Sequence, residues 1–431
     1  MNSANLPPIL ILLVTILGFA CEPDIGETDF ITRQAAEFEP QEAVWLIWPQ
    51  DDHLEGFSND QVVLDIITSI LPYTYVKVVV SDPEIRLKAE RLLPAASLES
   101  GKIELLEIPA VQFWTRDMGP TFVENNKGEQ VVADFNFNAW GYSDTLDADT
   151  RIEEQFDERA GRLLGLPVIS SNMISEGGNR EVNGKGTLML VERVESGRNP
   201  HLSKDAMEKE FGRMLGVRRV IWLKAGLYED DHTFLGPLDL GEGRKAYTVV
   251  TTDGHVDEFA RFVNDSTILL ASVAPEDRDD AIGRENHRRL ETNYDILRAA
   301  TDQDGQPFRI VRMPLPKNII GTMKPGDPVY DYISTLDYTN GAVFPEGDTI
   351  QVVAAASYLN FLITNGCVIA PKYWRPGWDE EILARDQEAA RILQEVFPER
   401  KILMIDALAI NFGGGGIHCI TMQQPLLAEK E

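Results

Sequence analysis

Near the C-terminus, "NFGGGGIHCITMQQP" sets four glycines, Gly413 to Gly416, just ahead of His418 and Cys419. The chain holds only 3 cysteines and 6 histidines. Placing one of each behind residues without side chains suggests a backbone that must approach a ligand closely and aim a thiol at it. A flexible linker is the plainer alternative. Three further clusters join turn-forming glycines to reactive side chains: "FWTRDMGP" (113–120), "SEGGNREVNGKGTL" (175–188) and "TDGHVDEFARFV" (252–263).

Singly, each has a local reading: Arg116 and Asp117 as an ion pair in a turn, Glu176 as a loop cap, His255 and Asp257 as an exposed pair on a strand edge. Together they bring a thiol, an imidazole and the carboxylates Asp117, Glu176 and Asp257. That set suits a guanidinium, a flat cation whose N–H fork matches carboxylates bidentately. Two aspartates would neutralise it from its edges and leave its central carbon open to the Cys419 thiolate. His255 would then move the protons. His255 and Asp257, at i and i+2 of an extended segment, would share one face. His418 falls on the face opposite Cys419 in an extended segment and is assigned no catalytic role.

Nucleotide-binding glycine motifs, a G-x-S-x-G elbow, C-x-x-C and H-E-x-x-H are missing from the sequence, so no metal or organic cofactor is expected. The net charge of −29 argues against a nucleic-acid partner, which needs clustered Lys and Arg. At 431 residues, 43% hydrophobic and 25% charged, the chain is a folded globular protein.

The N-terminal 20 residues differ. The apolar run Ile9 to Ala20 is too short to span a bilayer and ends in small residues before Cys21. No Lys or Arg precedes it. It resembles a bacterial lipoprotein signal with Cys21 lipidated, so the chain is expected to be exported and anchored in the cell envelope. Residues 21–35 read as a tether and 36–431 as one catalytic domain. Cys367, inside "NFLITNGCVIAP", reads as a small buried hydrophobe. A Cys367–Cys419 bridge stays open at this stage.

Strand-like runs ("AVWLIWP", "YVKVVVS", "GTLMLVE", "STILLASV", "KILMIDALAI") alternate with helical patterns such as "QVVLDIITSIL" and "DEEILARDQEAARILQEVF". The last keeps Ile382, Leu383, Ala389, Leu393 and Val396 near one face with charges opposite. Alternation of this kind is an α/β protein, with no internal repeat visible.

The motifs "AEFEPQEAVWLIWP", "WTRDMGPTFV", "DFNFNAWGY", "EGGNREVNGKGTLML", "GHVDEFARFV", "NFLITNGCVIAPKYW" and "GGGGIHCITMQQP" resemble the agmatine deiminase and bacterial-type peptidylarginine deiminase family. The resemblance covers nearly all of residues 36–425. It implies a five-bladed, pseudo-fivefold α/β propeller of the pentein type, with the active site on the axis. It also implies Cys419 as nucleophile, His255 as acid and base, and Asp117 and Asp257 as guanidinium holders. Glu176 would orient His255 and the cation, and Trp114 would pack on the substrate's alkyl arm. Arg116, Gly177, Gly178, Gly415 and Gly416 complete the expected substrate site. The product would be N-carbamoylputrescine, on a route to putrescine, from agmatine; citrulline in exported peptides is the alternative. The expected partners are a cationic guanidino molecule or an arginine peptide, with the membrane reached only through the anchor and a homodimer left open. The segment 228–253, longer than the resemblance predicts, would form a rim hairpin or decorate the outside. Two other classes compete: a binuclear metal amidinohydrolase, supported only by His255-x-Asp257, and a non-catalytic cation-binding lipoprotein.

Overall fold

The computed structural model describes residues 29–143 and 147–427. The signal run and Cys21 lie outside the described residues. Among the described residues, no helix is long and apolar enough to cross a membrane.

The apolar runs become strands because alternating or continuous Val, Ile and Leu bury on sheet faces packed by helices. Tyr75–Val80 is buried at every position after Tyr75. Helices begin where short polar side chains cap them. Ser58 accepts from the Gln61 N–H ahead of Asn59–Ile70, and Asp82 from the Glu84 and Ile85 N–H groups ahead of Pro83–Leu92. The helix Glu380–Val396 departs from the expected charge pattern, because Arg385 and Asp386 are buried. Arg385 reaches Glu276 and Asp277, while Asp386 accepts from the Tyr358 hydroxyl and the Tyr373 and Trp374 N–H groups. Buried charge is tolerated there because it is paired.

The described strands form six sheets. Five share one pairing order, in which an antiparallel first strand is followed by a parallel step. Met422–Pro425 pairs antiparallel with Gln41–Ile47, which continues in parallel to Tyr75–Val80 and Ile103–Glu107. Thr121–Asn125, Gln130–Asn136 and Val168–Ile174 follow the same scheme. So do Glu181–Val182, Thr187–Val191 and Arg219–Leu223. Ala260–Asn264, Thr267–Ser272 and Arg309–Pro314 repeat it, as do Leu362–Ile363, Cys367–Lys372 and Lys401–Asp406. A repeat invisible in residue identities is therefore plain in the topology. "NFLITNGCVIAP", read as one strand-like run, is a hairpin that turns at Thr364–Gly366.

The sixth sheet is the long segment's answer. Leu238–Gly241 and Arg244–Thr248 form a hairpin, and Arg244–Thr248 pairs in parallel with Ile350–Val353. The hairpin is therefore built into a sheet, while Val250, Thr251 and Thr252 after it line the cleft described below. The strand Ile31–Arg33 pairs antiparallel with Thr121–Asn125. Strand pairing thus reaches into the segment read as a tether.

Beneath the first strands lies a chain of buried charge. Arg261 is fully buried and bonded to both Glu37 and Glu181. It also donates to the Leu359 and Phe361 carbonyls, at 3.1 and 2.7 Å. Glu37 is held far below the carboxylate range, since Arg261 and His418 outweigh its burial. Deleting one partner strands the others without water. Arg261→Met should cost about 3–5 kcal/mol, read as a lower urea midpoint with an unchanged slope.

Candidate active site

Each of the five similar sheets is entered through a loop, and each loop delivers at least one polar group to a common place. Asp117 lies just before Thr121–Asn125, Glu176 before Glu181–Val182, and His255 and Asp257 before Ala260–Asn264. Asn360 lies just before Leu362–Ile363 and Cys419 just before Met422–Pro425.

The thiol of Cys419 lies 3.7 Å from Asp257 Oδ2 and 3.8 Å from Glu258 Oε1. Asn360 Nδ2 donates to Cys419 Sγ at 3.1 Å and to Glu258 Oε1 at 2.8 Å, while its Oδ1 accepts the His418 N–H at 2.8 Å. His255 stands between two carboxylates, with Nδ1 3.7 Å from Asp117 Oδ1 and Nε2 3.5 Å from Glu176 Oε2. Gly178 marks where these groups converge. A Cβ there would meet His255 Nδ1 at 2.6 Å, Asp117 Oδ1 at 2.9 Å and Asp257 Oδ2 at 3.1 Å.

Supporting contacts lock the carboxylates. Asp117 accepts from Trp140 Nε1 and from the Gly178 N–H, both at 2.7 Å. Ala139 and Trp140 both hold positive φ, a strained pair of non-glycine residues that keeps the indole pointed at Asp117. Arg198 Nε donates to Glu176 Oε1 at 2.7 Å. His418 Nδ1 bonds Asp257 Oδ2 at 2.7 Å, and its Nε2 bonds Glu37 Oε2 at 2.9 Å. His418 thus has a positioning part that an extended-segment reading denied it. Residues 417–420 form a turn, with the Thr421 N–H on the His418 carbonyl, so His418 and Cys419 need not point apart.

Several buried polar atoms here have no hydrogen-bond partner: Asp257 Oδ1, and both ring nitrogens of His255 and Glu176 Oε2, which meet only at the ion-pair distances given above. A native fold leaves few such atoms, and a cluster of them marks a place reserved for a ligand. Burial pushes the His255 imidazole down, but Asp117, Glu176 and Asp257 outweigh it and raise it to about 9. Burial pushes the Cys419 thiol well up, and Asp257, Glu258 and Asp117 add to the rise. Burial likewise raises Glu258 well above the carboxylate range, with Asp257, Asp230 and Glu229 in support. The resting site therefore pairs an imidazolium with a protonated thiol. A bound cation would offset the carboxylates that hold that proton on sulfur.

The cleft that opens onto these groups has a volume of about 530 Å³ and is lined by Cys419, Asp117, Trp114, Trp140 and Gly415, among others. Trp114 stacks on Phe113 with centroids 4.9 Å apart. A Cβ on Gly415 would stand 2.8 Å from the Trp114 ring and 3.1 Å from Cys419 Sγ, so this glycine keeps the approach to the sulfur open. Three expected substrate contacts fall elsewhere. Arg116 turns behind the Cys419 loop, donating to Gln423 Oε1 at 2.7 Å and to the His418 carbonyl at 3.3 Å. Gly177 packs on the Arg116 carbonyl and Gly416 on the Asn360 side chain. These three make close backbone packing possible and do not line the cleft. Cys367 and Cys419 are both free thiols, so the bridge left open by the sequence is not formed.

Among the described residues, two clusters have metal-type donor sets, Glu37–Glu181–His418 and Asp257–Glu258–Cys419, each with donor atoms within 4.8 Å of one another. Arg261 already neutralises the first. A cation at the second would compete for the Asp257 oxygen that His418 holds. Asn360, Glu258, Trp140 and Arg198 were missed by sequence reasoning. Two signals were available: Asn360 opens an apolar run, and Glu258 adjoins Asp257 in "GHVDEF".

Residues 33–235 and 238–425 match the family described as Porphyromonas-type peptidyl-arginine deiminase. The agmatine deiminase of Pseudomonas aeruginosa (strain LESB58) is 32% identical over 403 residues, covering 91% of this chain and 95% of that protein. That of Pseudomonas syringae pv. syringae (strain B728a) is 31% identical over 397 residues, covering 90% and 94%. The solved agmatine deiminase of Enterococcus faecalis superposes with a TM-score of 0.69 at 28% identity, covering 91% of this chain and 95% of that one.

The convergence at Gly178 is testable. Gly178→Ala should lower kcat by about a hundredfold or more, because the methyl displaces His255 or an aspartate by about an ångström. The far-ultraviolet circular dichroism of the variant should match the parent's.

Proposed function

We propose, from the premise that the chain belongs to the Porphyromonas-type peptidyl-arginine deiminase family, that it hydrolyses agmatine to N-carbamoylputrescine and ammonia. It is a hydrolase of C–N bonds in amidines, and its fold is a mixed α/β fold with structural neighbours of the pentein superfamily. The observation that carries the substrate class is a pair of buried carboxylate oxygens without a hydrogen-bond partner, Glu176 Oε2 and Asp257 Oδ1, with the Cys419 thiol 3.7 Å from the other oxygen of Asp257. A guanidinium supplies the N–H donors and the positive charge that this set lacks.

The chemistry follows from the geometry. Asp117 and Asp257 take the edges of the guanidinium. Its charge offsets the carboxylates that add to burial in holding the thiol protonated, and Cys419 gives its proton to water in the cleft as sulfur bonds to the central carbon. The tetrahedral adduct collapses with cleavage of a C–N bond, and the His255 imidazolium gives its proton to the departing ammonia. The S-alkylthiouronium left behind is attacked by a water whose proton His255 takes. The C–S bond then breaks as the hydroxyl proton of the adduct passes to the departing sulfur, which releases the neutral ureido product and restores the Cys419 thiol. Glu176, fixed by Arg198, is lowered to about 2 because Arg198 and His255 outweigh its burial. It therefore stays ionised and holds the imidazolium through both steps.

The five sheets of common pairing order, each with one loop at the site, support a pseudo-fivefold propeller around the thiol. Arginine in peptides is the second reading, favoured by the family's own description and by the "GHVDEF" string. Export with a lipid on Cys21 remains part of the proposal, supported by the apolar run Ile9 to Ala20 before a cysteine. The homodimer stays with it too, and the mass in solution reads it.

Cys419→Ala should release no ammonia from agmatine, free arginine or an arginine peptide while still binding agmatine by calorimetry. Turnover by the variant would end the assignment of the nucleophile, and citrulline formation in the peptide by the parent enzyme, with agmatine inert, would select the second reading. In an envelope-bearing bacterial host, the full chain should partition into the detergent phase of Triton X-114, and Cys21→Ala should move it to the aqueous phase. Identical partitioning would discard the anchor.

A further inference from the structure

The cleft holding Cys419 and Asp117 is lined elsewhere by a second acidic group: Asp147, Asp149 and Glu153. All three lie at or just before the helix Ala148–Glu154. Asp147 is committed to that helix, accepting the Asp149 and Thr150 N–H groups as its cap. Asp149 is exposed. Glu153 is 4% exposed, and its Oε1 has no hydrogen-bond partner. Leaving a buried carboxylate oxygen unpaired costs about 1–3 kcal/mol or more, and nothing in the mechanism above uses it. Glu153 lines the same cleft as Cys419 and Asp117 and is used by none of the contacts around the thiol described above. Burial pushes its carboxyl up to about 7, with the Gln112 backbone N–H pulling the other way and its acidic neighbours adding to the rise. No Lys or Arg is among the described residues lining the cleft. A volume of about 530 Å³ leaves room for much more than a guanidinium.

We infer that Glu153, with Asp149 at the mouth, is a second cation subsite that binds the ammonium at the far end of the substrate. It rests on the deiminase reading and adds a choice of tail. A primary ammonium supplies the N–H donors and the charge that Glu153 Oε1 lacks. A neutral alkyl tail leaves the oxygen unpaired, and a free α-carboxylate is repelled by three acids with no base to receive it. The site thereby selects an aminoalkyl guanidine over arginine, through the wall opposite in role to the nucleophile.

The test compares kcat/KM for agmatine with that for n-butylguanidine, a tail of the same carbon number without the ammonium, and for free arginine. The parent enzyme should prefer agmatine. Glu153→Gln, nearly isosteric, should lower the agmatine-to-butylguanidine ratio by about tenfold or more, chiefly through KM for agmatine. Asp149→Asn, at an exposed position, should move the ratio the same way by less, and keeps the test alive if the buried variant fails to fold. Glu154→Gln, on the same helix but outside the cleft, should leave the ratio unchanged. A ratio within twofold of the parent's in both Glu153→Gln and Asp149→Asn overturns the subsite while the deiminase reading stands. So does an equal loss in Glu154→Gln. Failure of the parent to hydrolyse any of the three guanidines overturns the reading and the subsite with it.

Discussion

The structure depends on keeping many charged groups out of water without leaving them alone. From Glu181 through Arg261 and Glu37 to His418 and Asp257, each ionic side chain is held by the next. Such a chain is expensive to bury and gives little net stability over an apolar core. What it provides is position. Asp257 and the turn bearing Cys419 are tied through His418 to Arg261, and Arg261 itself spans the carbonyls of Leu359 and Phe361 beside Asn360. Three loops that meet at the thiol are thus braced from beneath by one guanidinium.

The chain of pairs stops at the site. Around Gly178 the carboxylates and the imidazole face one another with unpartnered atoms, and burial, with their negative charge in support, keeps the proton on the sulfur. Affinity for a cation and activation of the nucleophile are therefore one electrostatic event. The arriving charge supplies donors to the orphaned oxygens and at the same time lowers the cost of a thiolate. Water in that position would supply donors but no charge, and an anion would supply neither.

Much of the site was legible because its residues sit in glycine-rich turns next to strands, and because a thiol, an imidazole and paired carboxylates suit few substrates. Asp117, Glu176, His255, Asp257 and Cys419 all reach one place. Arg116, Gly177 and Gly416 shared those turns but serve the backbone behind them, since adjacency in sequence does not tell which side of a turn meets the cleft. Asn360 stayed hidden inside an apolar stretch that reads as ordinary core. His418 was misread by assuming an extended segment where the chain turns. The buried Arg385 and Asp386 broke the amphipathic pattern of their helix for a related reason: their partners lie far away in sequence.

The sequence by itself determined the groups available: a thiol, an imidazole and several carboxylates in glycine-rich turns, and an α/β framework from alternating apolar periods. Those follow from residue type and local spacing, where short-range sterics and hydrogen bonding suffice. Only the tertiary structure decided that five sheets repeat one pairing order, that each sends a loop to the same point, and that Glu153 stands unpaired in the cleft wall. Convergence of residues up to hundreds of positions apart is set by long-range packing, and partnerlessness is a property of surroundings that no single stretch of chain contains.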